Sequence, residues 1–218
     1  MSILHHPPEE ILTDHAMGRL KRGQGLVVEA HLACCPACRA DVEQMEAIGG
    51  ALMEDLAPVE LEPDALSRVL ARLDAPPDPP MPPAAKAPPP AGLEGLGLED
   101  LLGDLPIGRR RWLAPGMWLR PILADQGGES ITYLIRGAPG MQLFEHGHTG
   151  PEFTVILKGA YSDGTGRYGS GDFQLADQGL DHGPLAEKDG ECICLIHAEG
   201  PMQMQGLIGK LMQPFVGL

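Results

Sequence analysis

His31-Leu32-Ala33-Cys34-Cys35-Pro36-Ala37-Cys38 carries a His-x3-Cys-x2-Cys pattern whose fixed points are His31, Cys35 and Cys38. His31 and Cys35 are four residues apart, so on a helix they share one face, one turn apart. Pro36 lacks an N–H and its ring clashes with the carbonyl four residues back, so the helix should end before it. A turn at that point brings Cys38 round to the same spot. Two thiolates and one imidazole converging in this way make a tetrahedral zinc site short of one ligand. His5 and His6 are the candidates for the fourth. Cys34 is three residues from His31 and four from Cys38, so on a continuous helix it competes with Cys35. Pro36 favours Cys35 and leaves Cys34 as a buried, inert thiol. His15 reads as a partly exposed helix residue. A closed Cys2His2 site is structural, and it points to a small binding module that needs metal to fold.

The surrounding residues read as short helices. Pro7-Pro8 precedes a helix over 8–20 with Ile11, Leu12, His15 and Ala16 on one side. A second helix, over 25–34, leads into the Cys-rich stretch. A third, over 37–56, places Val42, Met45, Ile48, Leu52 and Leu56 at steps of three and four. Gly49-Gly50 inside it either weakens the helix or admits a close neighbour. Asp64 can cap a fourth helix over 65–73, with Leu66, Val69, Leu70 and Leu73 on one stripe. That stripe is either core or the face that a partner covers. Seventy-four residues are few for a large core, which fits a module stapled by metal.

The composition changes after residue 74. Nine of the 18 residues in 75–92 are proline, so this segment is an extended linker of up to ~55 Å at about 3.1 Å per residue. Beyond it, 130–135, 153–157, 172–175 and 192–196 are short β-rich runs separated by glycine and aspartate turns, the pattern of an antiparallel barrel or jelly roll. The net charge is −14, and residues 1–74, with 13 acidic and 6 basic side chains, carry −7 of it. An acidic surface repels phosphate, which argues against direct nucleic-acid binding and suits a basic protein partner. Five cysteines, three of them in one motif, point to metal binding in a reducing compartment and not to a disulfide framework. The first residues lack a basic segment followed by an apolar one, and no stretch reaches the ~18 apolar residues of a membrane span. The expectation is therefore a cytoplasmic protein without a membrane anchor.

The β half holds a second constellation. Gly140, His146, His148, Glu152 and Gly159 follow the spacing G-x5-H-x-H-x3-E-x6-G. His146 and His148 alternate by two, so on a strand they face one side of the sheet. Glu152 begins the next strand and shares a face with Thr154 and Ile156. A His-x-His pair plus a carboxylate facing into a small barrel is a transition-metal site. Cys192 and Cys194 also share a strand face. They read as buried thiols, with a redox role as the alternative. His197, outside the pattern, reads as a surface residue.

These motifs carry a family resemblance. His6, His31, Cys35 and Cys38 resemble the ligands of the zinc-binding anti-sigma factors, a resemblance that prefers His6 to His5 and Cys35 to Cys34. The first spacing in the β half is similar to the first cupin motif. Downstream, Gly171, Gly179 and His182 resemble the second cupin motif, which departs from the family with Asp177 in place of proline and Ala186 in place of asparagine; with His182 the resemblance implies a His3Glu set suited to zinc, iron, nickel or copper. The order of the two halves, the linker and the ending Leu211-Met212-Gln213-Pro214-Phe215 resemble the ChrR-type anti-sigma factors. The resemblance implies a small zinc-binding helical bundle (1–74), a Pro-rich linker (75–92) and an all-β cupin (93–218), an α+β multidomain chain. It implies two zinc ions, one on His6, His31, Cys35 and Cys38 and one on His146, His148, Glu152 and His182. It implies a group IV sigma factor as partner, released when the cupin senses singlet oxygen or a related oxidant, with no catalytic role. The alternatives are a metal-dependent cupin enzyme, a dioxygenase or isomerase with a zinc docking domain, and a cupin storage or sugar-binding module.

Overall fold

The computed structural model describes residues 2–74, 99–102, 105–124, 130–143, 145–177, 179, 181–200 and 203–204. The Pro-rich segment 75–92 and the ending 211–215 lie outside the described residues. Four helices come first: α1 (Glu9–Ala16), α2 (Arg22–Cys34), α3 (Pro36–Glu54) and α4 (Ala65–Asp74). Pro36 acts as the spacing predicts. It ends α2, leaves Cys35 extended, and starts α3, where a missing N–H costs nothing because the first-turn donors have no intrahelical partner. α3 runs through Gly49 and Gly50, and a Cβ at either position would meet no atom within 4 Å, so neither glycine admits a close neighbour.

A one-turn helix, α5 (Glu99–Leu102), precedes eleven strands: β1 (Arg111–Ala114), β2 (Met117–Ile122), β3 (Ser130–Gly137), β4 (His146–Gly147), β5 (Glu152–Lys158), β6 (Ala160–Asp163), β7 (Gly166–Gly169), β8 (Phe173–Ala176), β9 (Leu185–Ala186), β10 (Cys192–Glu199) and β11 (Gln203–Met204). A six-stranded antiparallel sheet, in the order β1-β2-β3-β10-β5-β8, faces a three-stranded sheet, β7-β6-β9, and a two-stranded pair, β11-β4. Helices first in the chain and a jelly-roll-like barrel after them give the α+β architecture that the sequence predicts. The β5–β6 corner turns at Gly159 with φ +75, and a Cβ there would lie 2.1 Å from the Glu191 carbonyl oxygen, so only glycine fits.

Strand alternation sorts the large sheet into two faces. Ile156 of β5 and Cys192, Cys194 and Ile196 of β10 point inward, where they pack with Tyr133, Tyr161 and Tyr168. Phe153, Val155 and Leu195 point the other way, into a second cluster with Trp118, Leu134 and Phe173. That cluster also contains Leu26, Val27 and Val28 of α2. α2 therefore lies on the outer face of the sheet, and the helical and β parts share a hydrophobic core. The reason is visible in β5 and β10, which are apolar on both faces and must be covered on both.

The same packing corrects two single-residue expectations. His197, expected at the surface, is 0% exposed, because its side of β10 lies on the face that α2 covers. Thr132 Oγ1 lies 2.8 Å from its Nδ1. Cys34, expected to be buried, is exposed, because α2 turns its Cys35 face and not its Cys34 face toward α3. His15 is half-buried, as expected. The stripe of α4 is not core. Leu66 is 70% and Leu73 75% exposed, and on α3 only Val42 of the predicted stripe is fully buried.

Candidate metal centres

The first cluster forms where α2 ends. His31 sits on the last turn of α2, Cys35 at the break, and Cys38 on the first turn of α3. His6 comes from the extended N-terminal arm. One donor atom from each of His6, His31, Cys35 and Cys38 lies within 4.8 Å of all the others. His6 Nδ1 is 3.5 Å from Cys35 Sγ and 3.3 Å from Cys38 Sγ. Tetrahedral geometry with Zn–S of about 2.3 Å and Zn–N of about 2.0–2.1 Å separates such donors by ~3.5 Å. His31 Nδ1 is 2.8 Å from the Gly171 carbonyl oxygen, to which it donates, leaving Nε2 as the lone-pair nitrogen. That Nε2 is buried and has no hydrogen-bond partner among the described residues. Burial lowers the His31 pKa, so the ring is neutral and able to ligate. Burial and the Cys35 thiol push Cys38 up to about 12, and a cation would reverse that. The donor set fits a metal. Cys34 is not among these residues. His5 is turned away, its ring 4.3 Å from that of Tyr168 and its Nε2 3.1 Å from the Arg167 carbonyl oxygen.

The second cluster lies inside the barrel. His146 and His182 face each other across an antiparallel bridge whose two N–H···O bonds are each 3.0 Å. His148 follows β4, and Glu152 opens β5 with its side chain inward. The four side chains are all buried, and their donor atoms again lie within 4.8 Å of one another. His148 Nε2 is 3.1 Å from His182 Nε2, and His148 Nδ1 is 3.7 Å from Glu152 Oε2. Glu152 Oε2 accepts no hydrogen bond among the described residues. Burial pushes the Glu152 carboxyl up to about 7, against a weak hydrogen bond from Thr154. Burial, then His146 and His182, push His148 down to about 4. Three imidazoles crowded round a carboxyl whose anion burial disfavours are an arrangement that a divalent cation would stabilise.

One buried group behind this cluster escaped the sequence reading. Asp163 Oδ2 accepts a 2.9 Å hydrogen bond from His182 Nδ1, so His182 can ligate only through Nε2. Burial alone would raise the Asp163 pKa, but hydrogen bonds from Gln174, Thr165 and His182 hold it down to about 2. In sequence Asp163-Gly164 is an ordinary hairpin turn, and nothing local ties it to His182. Cys192 Sγ and Cys194 Sγ lie 3.6 Å apart, facing the barrel interior. The hydrogen bond to Cys192 and burial raise the Cys194 pKa well above its usual value, which favours its protonated thiol.

Residues 108–203 match the ChrR cupin-like domain family. The chain is 40% identical to the anti-sigma-E factor ChrR of Cereibacter sphaeroides, over 99% of each chain. It is also similar to the crystal structure of Rhodobacter sphaeroides SigE in complex with the anti-sigma ChrR. That match has a TM-score of 0.72 and 38% identity, and it covers 91% of this chain and 100% of that one. Among the described residues no helix is long and apolar enough to cross a membrane.

Proposed function

We infer, since this chain belongs to the ChrR family of anti-sigma factors, that it binds a group IV sigma factor in the cytoplasm and holds it inactive. The division of labour we propose is a helical inhibitory module over 1–74, a linker over 75–92 and a sensory cupin over 93–218. His6, His31, Cys35 and Cys38 would hold a structural zinc. His146, His148, Glu152 and His182 would hold a second ion, also zinc, and oxidant stress such as singlet oxygen would act there to release the sigma factor. The chain is then a regulator and not an enzyme.

One observation carries the inhibitory role. The last turn of α3, the segment after it and the length of α4 expose a run of large apolar side chains, including Leu52, Met53, Leu56, Leu66, Leu70 and Leu73. An exposed apolar surface of this kind marks a partner site. The acidic charge of the module suits a partner with basic, DNA-binding faces. The relative in the solved complex is bound to SigE.

Two measurements test the reading. The double variant Leu66→Asp/Leu70→Asp should keep its metal but fail to co-purify with the cognate sigma factor; undiminished co-purification would sink the proposed surface. A reporter driven by that sigma factor, with and without singlet-oxygen generation, tests the sensor. His146→Ala should stay inhibitory in unstressed cells and lose induction, whereas a normal induction ratio with the cluster emptied would remove sensing from the cupin.

A further inference from the structure

The first metal cluster lies against the turn between β7 and β8, about 140 residues away in sequence. Gly171 of that turn has φ +89, which favours glycine, and a Cβ there would lie 2.8 Å from Ile3 Cδ1 of the arm and 3.5 Å from Cys34 Cβ, so the Ile3 side chain would have to shift. The Gly171 carbonyl oxygen accepts a hydrogen bond from the His31 Nδ1–H at 2.8 Å. Next to it, Asp172 is buried, with 4% of its surface exposed. Its Oδ1 accepts the Leu4 N–H at 2.7 Å and the His5 N–H at 3.0 Å, and its Oδ2 accepts the Gly169 N–H at 2.7 Å. Phe173 N–H then donates to the His5 carbonyl at 3.0 Å. The arm that carries His6 is therefore held, one residue before the ligand, by three hydrogen bonds to the β part.

We propose that Asp172 is a positioning residue of the first metal cluster, and that the β7–β8 turn is that cluster's outer shell. This rests on the reading of His6, His31, Cys35 and Cys38 as a metal site. Asp172 clamps the arm so that His6 reaches Cys35 and Cys38, and Gly171 sets the tautomer in which His31 presents Nε2. Outer partners of metal-bound histidines govern affinity because they fix ring orientation before the ion arrives. The strand that follows the turn also faces the second cluster. Gln174 of β8 points inward and donates to Asp163 Oδ2 at 2.9 Å, the oxygen that holds His182. β8 thus touches the supports of both clusters, one on each face, and a disturbance of the cupin cluster has a short route to the His6 arm.

The test uses the full-length chain loaded with Co2+. Only the first cluster contains thiolates, so thiolate-to-cobalt absorption reports it alone, and chelator competition then gives its affinity. Asp172→Ala should weaken the first site about 10- to 100-fold and shift its cobalt spectrum, while the second site keeps its affinity. Asp172→Glu, which restores the acceptor, should recover part of the loss. Should Asp172→Ala fail to fold, Asp172→Asn, which removes the charge and one acceptor, should still lower the affinity several-fold. An unchanged first-site affinity and spectrum in a folded Asp172→Ala or Asp172→Asn chain would overturn the proposal and leave the metal site standing. A wild-type chain with no thiolate-to-cobalt band would overturn the metal reading itself.

Discussion

Leu26→Ala is the change that most directly tests whether the helical module and the cupin are one folding unit. Leu26 is fully buried on α2, in a cluster with Trp118, Leu134, Phe153 and Leu195 of the sheet. Removing the side chain forfeits its transfer free energy and leaves a cavity, which at fully buried leucines costs about 2–5 kcal/mol. A central value of about 3 kcal/mol, with a urea m-value of about 3 kcal/mol/M for a chain of this size, lowers the midpoint by roughly 1 M. Two probes separate the parts. The chain has two tryptophans, Trp112 on β1 and Trp118 on β2, so their fluorescence follows the cupin. Thiolate-to-cobalt absorption follows the helical module. A shared core requires that Leu26→Ala shift both transitions together. If the cobalt transition moves by about 1 M while the tryptophan transition stays in place, the two parts are independent and the packing of α2 on the sheet contributes no stability to the cupin.

Cys35→Ser and Cys38→Ser should each abolish first-site metal binding and sigma binding, since structural zinc contributes on the order of 10 kcal/mol to the folding of such modules. Cys34→Ser, at an exposed position outside the cluster, should leave both intact; zinc loss in this variant alone would mean the ligand register is off by one. Asp163→Asn should weaken the second site about 10- to 100-fold in chelator competition without touching the first, and an unchanged affinity would show that the His182 hydrogen bond is incidental. Glu191 is held below the usual carboxylate range by hydrogen bonds from Lys158 and Arg136. Its contribution is present above the unfolded carboxylate pKa and is lost as pH falls through the lower folded value. The group is partly solvated, so the effect is at most about 1 kcal/mol. Glu191→Gln should flatten that part of the stability curve in acid, and a curve identical to wild type would show that the two ion pairs contribute nothing.

Three of the four residues of each candidate ligand set were legible in the sequence because they rest on short-range geometry. His31 and Cys35 meet through helical periodicity, Pro36 dictates the break that returns Cys38, and His146, His148 and Glu152 follow from strand alternation round one turn. His6 and His182 were reached through family spacing, since their neighbours lie far off along the chain. The apolar stripe of α4 was visible too, but periodicity reports that a face is apolar and not what covers it. Tertiary structure alone decided that this face is exposed while the equally apolar Leu26-Val27-Val28 is buried against the sheet. It buried His197, exposed Cys34, and brought Asp163 to His182 and the Gly171-Asp172 turn to His31 and the His6 arm. Those partners are ordinary turn residues in sequence. Their roles arise from contacts across as many as 168 positions of chain, and no local pattern records a hydrogen bond that only the packing of one element on another creates.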